Sequence, residues 1–411
     1  MPFPRSVESR LLLACARIAA EPRTIQELVR VDLDWRAILE RAIPHGVAPL
    51  LYTNLKRVSG RAQIPTEVMA QLQRLYYGHA TQNIHLYHKL REILVAFSRE
   101  EIPVIVLKGA ALAALIYENI ALRPMGDLDL LVRGQDVDRA DHLLNTLHYV
   151  PHESDRPQEW YREHHHHLAP YIARDQSLVL ELHHHIIQPT ASGSLPIQAL
   201  WQRARPVQLA SMTAFVFAPQ DLLLHSCLHL SVGDGFLGRL RNLCDIAEII
   251  RRYQEEIDWA QLLREAHMAD VDKYLYYPLW LAQDMVKAEI PVGVLRELAS
   301  SMGGRSMDDR VLKFITRRVM LRPPPATSPV PFEAIADVCA GWLSAKETGE
   351  KIKSVCQRIG LRLVSSARQQ APQPRSLALL YTIFVHPLYL MIRAVSRIAR
   401  PRSWEVKRGK A

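Results

Sequence analysis

The stretch VLKGAALAALIYENIALRPMGDLDLLV, residues 106–132, places a lysine–glycine pair after an apolar run and two aspartates inside the next one. The residues up to Leu107, IPVIVL, have the length and apolar character of a strand, and AALAALIY after Gly109 favours a helix. This strand–turn–helix junction presents Lys108, Gly109 and free helical amides at one point. The amides and the helix dipole favour anions, and glycine lets a phosphate approach the backbone closely. The pattern therefore predicts a phosphate-binding turn.

The next predicted strand, DLDLLV, alternates charged and apolar residues. Successive side chains of a strand point to opposite faces, so Asp127 and Asp129 share one face while Leu128 and Leu130 share the other. Two neighbouring carboxylates repel each other unless a cation lies between them. We expect Mg²⁺, or Mn²⁺ in its place, because Mg²⁺ prefers carboxylate oxygens and commonly binds substrate phosphates at the same time.

A third carboxylate is expected from a neighbouring strand. YIARDQSLVLELHHH, residues 171–185, has the pattern of a β-hairpin whose apolar second strand contains Glu181. That glutamate is either a site residue, since a buried charge needs a partner, or a solvated residue of a hairpin edge. Together the three motifs contain the groups that nucleotidyl transfer requires. The lysine holds a triphosphate, and the acids bind metal ions and place an acceptor hydroxyl for attack on the α-phosphorus as pyrophosphate leaves.

The composition indicates a globular protein with more than one core. The chain has 411 residues, of which 48% are hydrophobic, and this excludes a disordered or fibrous protein. Its five cysteines are scattered without C-x-x-C spacing, so neither a disulfide framework nor a cysteine zinc site is expected. A reducing cytoplasm fits this pattern best. The N-terminal stretch MPFPRSVESRLLLACARIAAEPR is a poor match to a secretory signal, because Arg17 interrupts its apolar patch.

The spacing of apolar residues predicts an α+β fold. Recurrence every 3.6 residues indicates helices, and short β-type runs between polar breaks indicate a small mixed sheet flanked by helical domains. The predicted regions are a helical region at 1–100, a core sheet at 101–190, a helical domain at 191–320, a Pro-rich linker at 321–331, a helical segment and linker at 332–375, and a basic amphipathic tail at 376–411.

Three motifs resemble a known family. LKGAALAALIY, LRPMGDLDLLV and LELHHHI are similar to the bacterial uncharacterised nucleotidyltransferases of the DNA polymerase β-like superfamily, and more distantly to toxin nucleotidyltransferases of the lysine–glycine type. The resemblance extends to DWRAILERAIPHGVAPLLY, LLLHSCLHL and LGRLRNLCDIAEIIRR, and covers roughly residues 10–270. It implies a polymerase β-type sheet and a metal- and nucleotide-dependent transferase. The acceptor is left open as a peptide, RNA, a sugar or a small molecule.

The resemblance also implies a role for each motif residue. Lys108 and Gly109 match the phosphate-holding turn, and Asp127, Asp129 and Glu181 match the catalytic, metal-binding carboxylates. Many polymerase β-like enzymes have Gly-Ser where this chain has lysine–glycine. The lysine adds a positive charge where those enzymes use a hydroxyl and amides, so the nucleotide can bind in a different pose.

Four further residues have two interpretations each. Arg123, just before the D-x-D, would bind a phosphate with its guanidinium, or else satisfy carbonyl groups of its own loop. Arg239 and Asp245 match family positions that complete the nucleotide pocket, or else form an ion pair within one helix. His183 follows Glu181 on the same strand face, and it is either a hydrogen-bonding partner of the metal-binding residues or a core histidine.

Two histidine runs suggest a different metal chemistry. EHHHH at 163–167 and HHH at 183–185 contain imidazoles, the commonest zinc ligands. In a strand, His183 and His185 would share one face while His184 points to the other. The runs are alternatively compositional, or line the acceptor side of the pocket. His225 and His229 share a helix face but lack the H-E-x-x-H pattern, so a protease is excluded and contacts between helix and sheet are favoured.

Two other classes of function remain open. A kinase could transfer the γ-phosphate from the same metal-bound nucleotide, although the sequence has no Walker motif and no H-R-D with D-F-G set. A non-catalytic module could hold a nucleotide or RNA. The intact D-x-D favours catalysis over such a module, because loss of a carboxylate is the simplest way to lose the chemistry.

The positive charge of the chain is concentrated in its tail. The formal net charge is +9, and residues 375–411 contain eight Lys or Arg against only Glu405. The apolar run at 377–392 is short and interrupted for a membrane span, but after Pro387 apolar and basic residues separate onto two helix faces. Such a segment fits peripheral contact with the inner membrane surface. Docking on the protein's own helices and RNA binding are the alternatives.

Overall fold

The computed structural model describes residues 6–61, 64–152, 157–187, 195–234 and 239–301. The chain divides into two units, 1–332 and 333–411, and every described residue belongs to the first. The Pro-rich linker, the helical segment that follows it and the basic tail predicted above all lie outside the described residues.

Helices precede the sheet. They are α1 (Val7–Cys15), α2 (Pro22–Leu28), α3 (Trp35–Ala42), α4 (Ala48–Val58) and α5 (Thr66–Arg99). Local chemistry sets their starts: the Asp34 carboxylate accepts a hydrogen bond of 2.9 Å from the Ala37 N–H at the beginning of α3. The second half of α5 has apolar residues at helical spacing, such as Leu86, Leu90 and Ile93, and these are buried against the sheet.

Seven strands form one mixed sheet within the described part of the chain. They are β1 (Ile105–Val106), β2 (Asp127–Leu131), β3 (Tyr149–Pro151), β4 (Tyr171–Ala173), β5 (Val179–His183), β6 (Arg205–Leu209) and β7 (Met212–Val216). Their order across the sheet is β3-β4-β5-β2-β1-β7-β6. The pairs β2–β5 and β1–β7 are parallel, and the other pairs are antiparallel.

Further helices connect the strands and follow them. The connecting helices are α6 (Lys108–Leu115), α7 (Val137–Thr146), α8 (Gln158–His164) and α9 (Ile197–Arg203). Those after the sheet are α10 (Pro219–Leu228), α11 (Leu240–Arg252), α12 (Trp259–Met268), α13 (Asp272–Val286) and α14 (Val294–Ser301). Helices precede, connect and follow the strands of the mixed sheet in sequence, and this confirms the predicted α+β class.

The sheet has an apolar face and a charged face. Leu128 and Leu130 of β2 and Leu180 and Leu182 of β5 lie in one core with the apolar residues of α5, α6 and α7. Because strand side chains alternate, the charged residues of β2 and β5 point away from this core. The core formed with α5, α6 and α7 therefore packs on one face of the sheet, and the charged residues lie on the other face.

The region predicted as a helical domain, 191–320, also contains strands. β6 and β7 form an antiparallel hairpin that completes the sheet beside β1. Its turn residues Ala210 and Ser211 have φ of 50° and 62°, the backbone of a tight hairpin turn that usually contains asparagine or glycine. Because the turn contains neither asparagine nor glycine, no turn signal marked the hairpin, and the prediction missed it.

Candidate active site

The register of two parallel strands brings the predicted carboxylates together. β2 and β5 pair so that Asp129 lies directly opposite Glu181. Asp129 is buried, with 2% of its side chain exposed, whereas Asp127 is open to the cavity that adjoins Glu181. All three carboxylates that the sequence predicted therefore belong to one face of the sheet.

The Lys108 side chain reaches between two of these carboxylates. Its Nζ lies 2.6 Å from Asp129 Oδ1 and 3.4 Å from Glu181 Oε2. The Leu107 N–H donates to the backbone carbonyl of Asp129 at 2.9 Å, which ties the lysine–glycine turn to β2. Lys108 has a φ of 42°, a left-handed conformation that is costly for a residue with a side chain and is concentrated at functional sites. The predicted phosphate-binding lysine is thus paired with acids in this structure.

These contacts shift the proton equilibria of the site. Burial would raise the pKa of Asp129, but the Lys108 ammonium and a hydrogen bond from His183 hold it well below its usual range. Burial would lower the pKa of Lys108, but the charges of Asp129 and Glu181 raise it. Burial and the Asp129 charge raise the pKa of Asp127. At neutral pH the site therefore contains an ionised Lys108–Asp129 pair, and a cation near Asp127 would favour its ionised form.

His183 contacts both buried acids. Its Nε2 lies 3.0 Å from Asp129 Oδ1 and 3.3 Å from Glu181 Oε2, and its side chain is 1% exposed. Burial would lower the pKa of His183, but the hydrogen bonds to these carboxylates raise it. The imidazole thus contacts both acids through one nitrogen, and its role as a partner of metal-binding residues stays a prediction.

The same residues have the donor set of a divalent-cation site. One ligand atom each from Asp129, Glu181 and His183 lies within 4.8 Å of the other two, and Asp127 lines the adjoining cavity. Oxygen-rich sets of this kind suit Mg²⁺ and Mn²⁺. The carboxylates therefore suit the predicted metal, while His183 Nε2 is engaged by its hydrogen bonds to Asp129 and Glu181.

Gly109 leaves room for a buried ion pair. A Cβ at Gly109 would lie 2.6 Å from Arg123 Nη1. Arg123 Nη2 donates to Asp245 Oδ2 at 2.9 Å, and Tyr117 donates to Asp245 Oδ1 at 2.7 Å. Asp245 therefore pairs with Arg123, and not with Arg239 as the ion-pair interpretation expected.

The Arg123–Asp245 pair lies close to the predicted phosphate turn. Both residues line a small pocket of about 80 Å³ that is shared with Lys108, Gly109 and Asp129. Because the guanidinium is already bound by a carboxylate, Arg123 holds α11 against the loop before β2 in this structure. Its contact with a nucleotide stays a prediction, and so does that of Asp245.

A larger cavity of about 660 Å³ opens onto the acidic residues. Lys108, Asp127 and Glu181 line it. Arg239, the residue before α11, and Arg241, in the first turn of α11, line the same cavity. Its volume lies within the range of about 300–1,000 Å³ that is typical of small-molecule sites. The predicted Arg239 is thus brought to the same space as the lysine and the acids.

Arg241 is a site residue that sequence reasoning missed. Its Nη1 donates to the Pro124 carbonyl at 2.6 Å, while its Nε is buried without a hydrogen-bond partner. Burial, together with the charge of Arg123, lowers the pKa of Arg241 to about 10. The only sequence signal is a second arginine two positions after Arg239, which is common on exposed helix starts and points to no site by itself.

The two histidine runs meet beside the acidic group. His167 and His183 form a β-bridge, and the rings of His166 and His167 lie 5.3 and 5.1 Å from that of His183. His165, His166 and His167 all line the larger cavity. β5 ends at His183, so the expected alternation does not extend to His185, whose Nδ1 bonds to the backbone carbonyl two residues on. The first run, rather than His185, supplies the neighbours of His183.

A second feature outside the predicted set is the π-helical turn His229–Gly233 after α10. Such turns occur frequently at functional sites. His229 Nδ1 lies 3.4 Å from Asp234 Oδ2, and both residues line the larger cavity. His225 is buried with its ring 5.5 Å from that of Phe217, and it also lines the small pocket beside Lys108 and Asp129.

The cavity and the sheet face beside it bring together a lysine–glycine turn, carboxylates from paired strands and two arginines, which are groups suited to phosphates and to a metal ion. The chain belongs to the family described as uncharacterised nucleotidyltransferase, whose model matches residues 32–287. The match confirms the nucleotidyltransferase resemblance and indicates nucleotidyl transfer from a nucleoside triphosphate. No curated protein and no solved structure shows significant similarity to the chain.

Proposed function

We propose that this protein transfers a nucleoside monophosphate from a nucleoside triphosphate to a hydroxyl of an acceptor, with Mg²⁺ as cofactor. The observation that carries the proposal is the Lys108 ammonium, 2.6 Å from Asp129 and 3.4 Å from Glu181, at the wall of the 660 Å³ cavity. Carboxylates that suit a metal ion line this cavity, and so do Arg239 and Arg241, whose positive charges suit phosphates.

The positively charged residues would bind the triphosphate. Lys108 lies at the start of α6, where the helix dipole also favours anions. Arg241 has a buried Nε without a partner, and a charged donor of this kind gains a strong hydrogen bond from a phosphate oxygen. Arg239 is exposed next to it. These three groups would hold the phosphates against the acidic face of the sheet.

The carboxylates would bind the metal and the acceptor. Asp127, Asp129 and Glu181 would hold Mg²⁺, or Mn²⁺, and His183 would keep Asp129 and Glu181 in their orientation. A bound metal ion offsets negative charge on the triphosphate and on the leaving pyrophosphate. Glu181 has 23% of its side chain exposed and lines the cavity, so its free oxygen can accept a hydrogen bond from the attacking hydroxyl.

The label that reaches the acceptor tests the type of reaction. The full-length protein is incubated with Mg²⁺, a lysate of the source cells and each of the four ribonucleoside triphosphates, labelled on either the α- or the γ-phosphorus. We expect one α-label to become covalently attached to an acceptor while pyrophosphate is released. Because a nucleotidyl transferase cleaves between the α- and β-phosphorus, γ-label should appear only in pyrophosphate.

Two results would contradict the proposal. Attachment of γ-label with release of a nucleoside diphosphate would assign the site to a kinase. Binding of a Mg-nucleotide, seen as a rise in melting temperature, without attachment of either label to any lysate component would assign it to a non-catalytic binding module.

A further inference from the structure

Three consecutive histidines form a compact group on the cavity wall. One ring nitrogen each from His165, His166 and His167 lies within 4.8 Å of the others, and the ring centroids are 4.1 to 4.7 Å apart. α8 ends at His164, and the backbone is extended at His165, with φ of −125° and ψ of 169°. The neighbouring His164 is separate from the group, because its Nδ1 bonds to the Trp160 carbonyl on α8 at 3.1 Å.

Part of this group is buried without hydrogen-bond partners. His166 Nδ1 has none, and neither has Nδ1 of His183, whose ring lies 5.3 Å away. A buried polar atom that has lost its water without gaining a partner costs free energy. A cation bound to His166 through Nδ1 would satisfy a nitrogen that the protein leaves without a partner.

The orientation of His167 is that of a metal ligand. Its Nδ1 donates to the Leu168 carbonyl at 2.6 Å, so the Nε2 lone pair is directed away from that carbonyl, and Nε2 lies 4.0 Å from Glu181 Oε2. Histidines that bind metals almost always donate their other ring N–H to a carbonyl or carboxylate, which fixes the tautomer. This hydrogen bond is therefore independent support for a site.

We propose that His165, His166 and His167 form a transition-metal site of the Zn²⁺ class beside the carboxylate site. Three imidazoles with a fourth position open to solvent or substrate are typical of catalytic zinc sites, and all three side chains line the cavity. Imidazole nitrogens select Zn²⁺, Co²⁺ or Cu²⁺ over Mg²⁺, which prefers oxygens such as those of Asp129 and Glu181. The site does not depend on the proposed nucleotidyl transfer.

Cobalt binding tests the site directly. The full-length protein is freed of metal with a chelator and titrated with Co²⁺ in the presence of excess Mg²⁺. We expect one Co²⁺ to bind with the visible absorption of a tetrahedral site. His166→Gln and His167→Gln each remove a ligand and should weaken Co²⁺ binding by more than about a hundredfold. Loss of only the hydrogen-bonding partner of a ligand typically weakens metal binding by about ten- to a hundredfold. His164→Gln, from the same run, should bind like the wild type.

Two controls locate the metal. Asp129→Asn should keep the cobalt absorption, and X-ray absorption of the wild-type cobalt complex should show about three imidazole ligands, a readout that does not depend on how the variants fold. The proposal is overturned if no Co²⁺ binds, if excess Mg²⁺ displaces it, if the ligands are mainly carboxylates, or if folded His166→Gln binds as tightly as His164→Gln.

Discussion

Gly109 lies where the first turn of α6 meets the Arg123 guanidinium, and the structure leaves little room for a side chain there. A Cβ there would come within 2.6 Å of Arg123 Nη1 and 3.1 Å of Met125 Cγ. The guanidinium cannot move freely, because Asp245 holds it. The sequence predicted a close approach of phosphate at this glycine, whereas the structure shows a close approach of a protein side chain.

We expect Gly109→Ala to lower the free energy of unfolding by about 1–3 kcal/mol, the usual cost of overpacking. Gly78→Ala is the matched control. Gly78 lies inside α5 with no atom within 4 Å of a built Cβ, so alanine there should stabilise the helix by up to about 1 kcal/mol. Urea unfolding of both variants measures the difference, and equal stability of the two would contradict the assigned role of Gly109.

Asp129 should make stability depend on pH. Its folded-state pKa lies below the ordinary value of 3.8, so its ionisation contributes stability that is complete above about pH 4 and is lost as pH falls through the folded pKa. Asp129→Asn should reduce this acid limb and leave the protein less stable at pH 7, because Lys108 loses its closest partner. The exposed Asp32→Asn should retain the limb. Unfolding free energies between about pH 2 and pH 7 test this, and superimposable curves for the two variants would contradict it.

At the scale of elements, the local parts of the site followed from the sequence. Period-two alternation placed Asp127 and Asp129 on one strand face, and the hairpin pattern placed Glu181 on a neighbouring strand, as the pairing of β4 with β5 confirms. The parallel register that sets Asp129 opposite Glu181 could not be predicted. It depends on pairing between strands about 50 residues apart in sequence, for which no local pattern codes.

The ion-pair partner of Asp245 is also distant in sequence, so it could not be predicted from a local pattern. The alternative interpretation from sequence kept the ion pair within one helix, whereas the structure pairs Asp245 with Arg123, 122 residues away. Only the packing of α11 against the loop before β2 makes this contact possible. This buried pair, with a further hydrogen bond from Tyr117 to Asp245, joins α11 to the loop before β2.

We expect Asp245→Asn to destabilise the protein by about 3–5 kcal/mol, because it leaves the Arg123 guanidinium buried without a counter-charge. Glu256→Gln removes one partner of the exposed Arg205–Glu256 pair and should cost no more than about 1 kcal/mol. Thermal and urea unfolding compare the two. A cost for Asp245→Asn as small as that for Glu256→Gln would show that the buried pair does not hold α11 in place.

At the scale of the whole molecule, the N-terminal helices support the site from outside the sheet. The segment between α3 and α4 binds the start of α11: the Leu240 N–H donates to His45 Nδ1, and the Arg241 N–H to the His45 carbonyl, both at 3.2 Å. The Ile18 N–H donates to Glu248 further along α11 at 2.9 Å. The helix that presents the cavity arginines is thus positioned by residues that come before the sheet in sequence.

Membrane contact is a property to be tested on the entire chain. Among the described helices, none has the length and apolar character needed to cross a bilayer. The basic tail, outside the described residues, is the proposed contact. At low salt the full-length protein should float with vesicles of anionic lipid and not with neutral ones, and a chain ending at Arg375 should float with neither. If the full-length protein stays at the bottom with anionic vesicles, the tail does not bind membranes.

We propose that the acidic face of β2 and β5 performs nucleotidyl transfer. Its most direct test is attachment of α-label to the acceptor by a variant with both Asp127→Asn and Asp129→Asn. The matched control, Asp32→Asn with Asp138→Asn, removes the same charge from two exposed carboxylates. We predict that the control retains transfer and that the site variant loses it by orders of magnitude, because the metal would lose two of its ligands. Transfer by the folded site variant at the rate of the control would contradict the account.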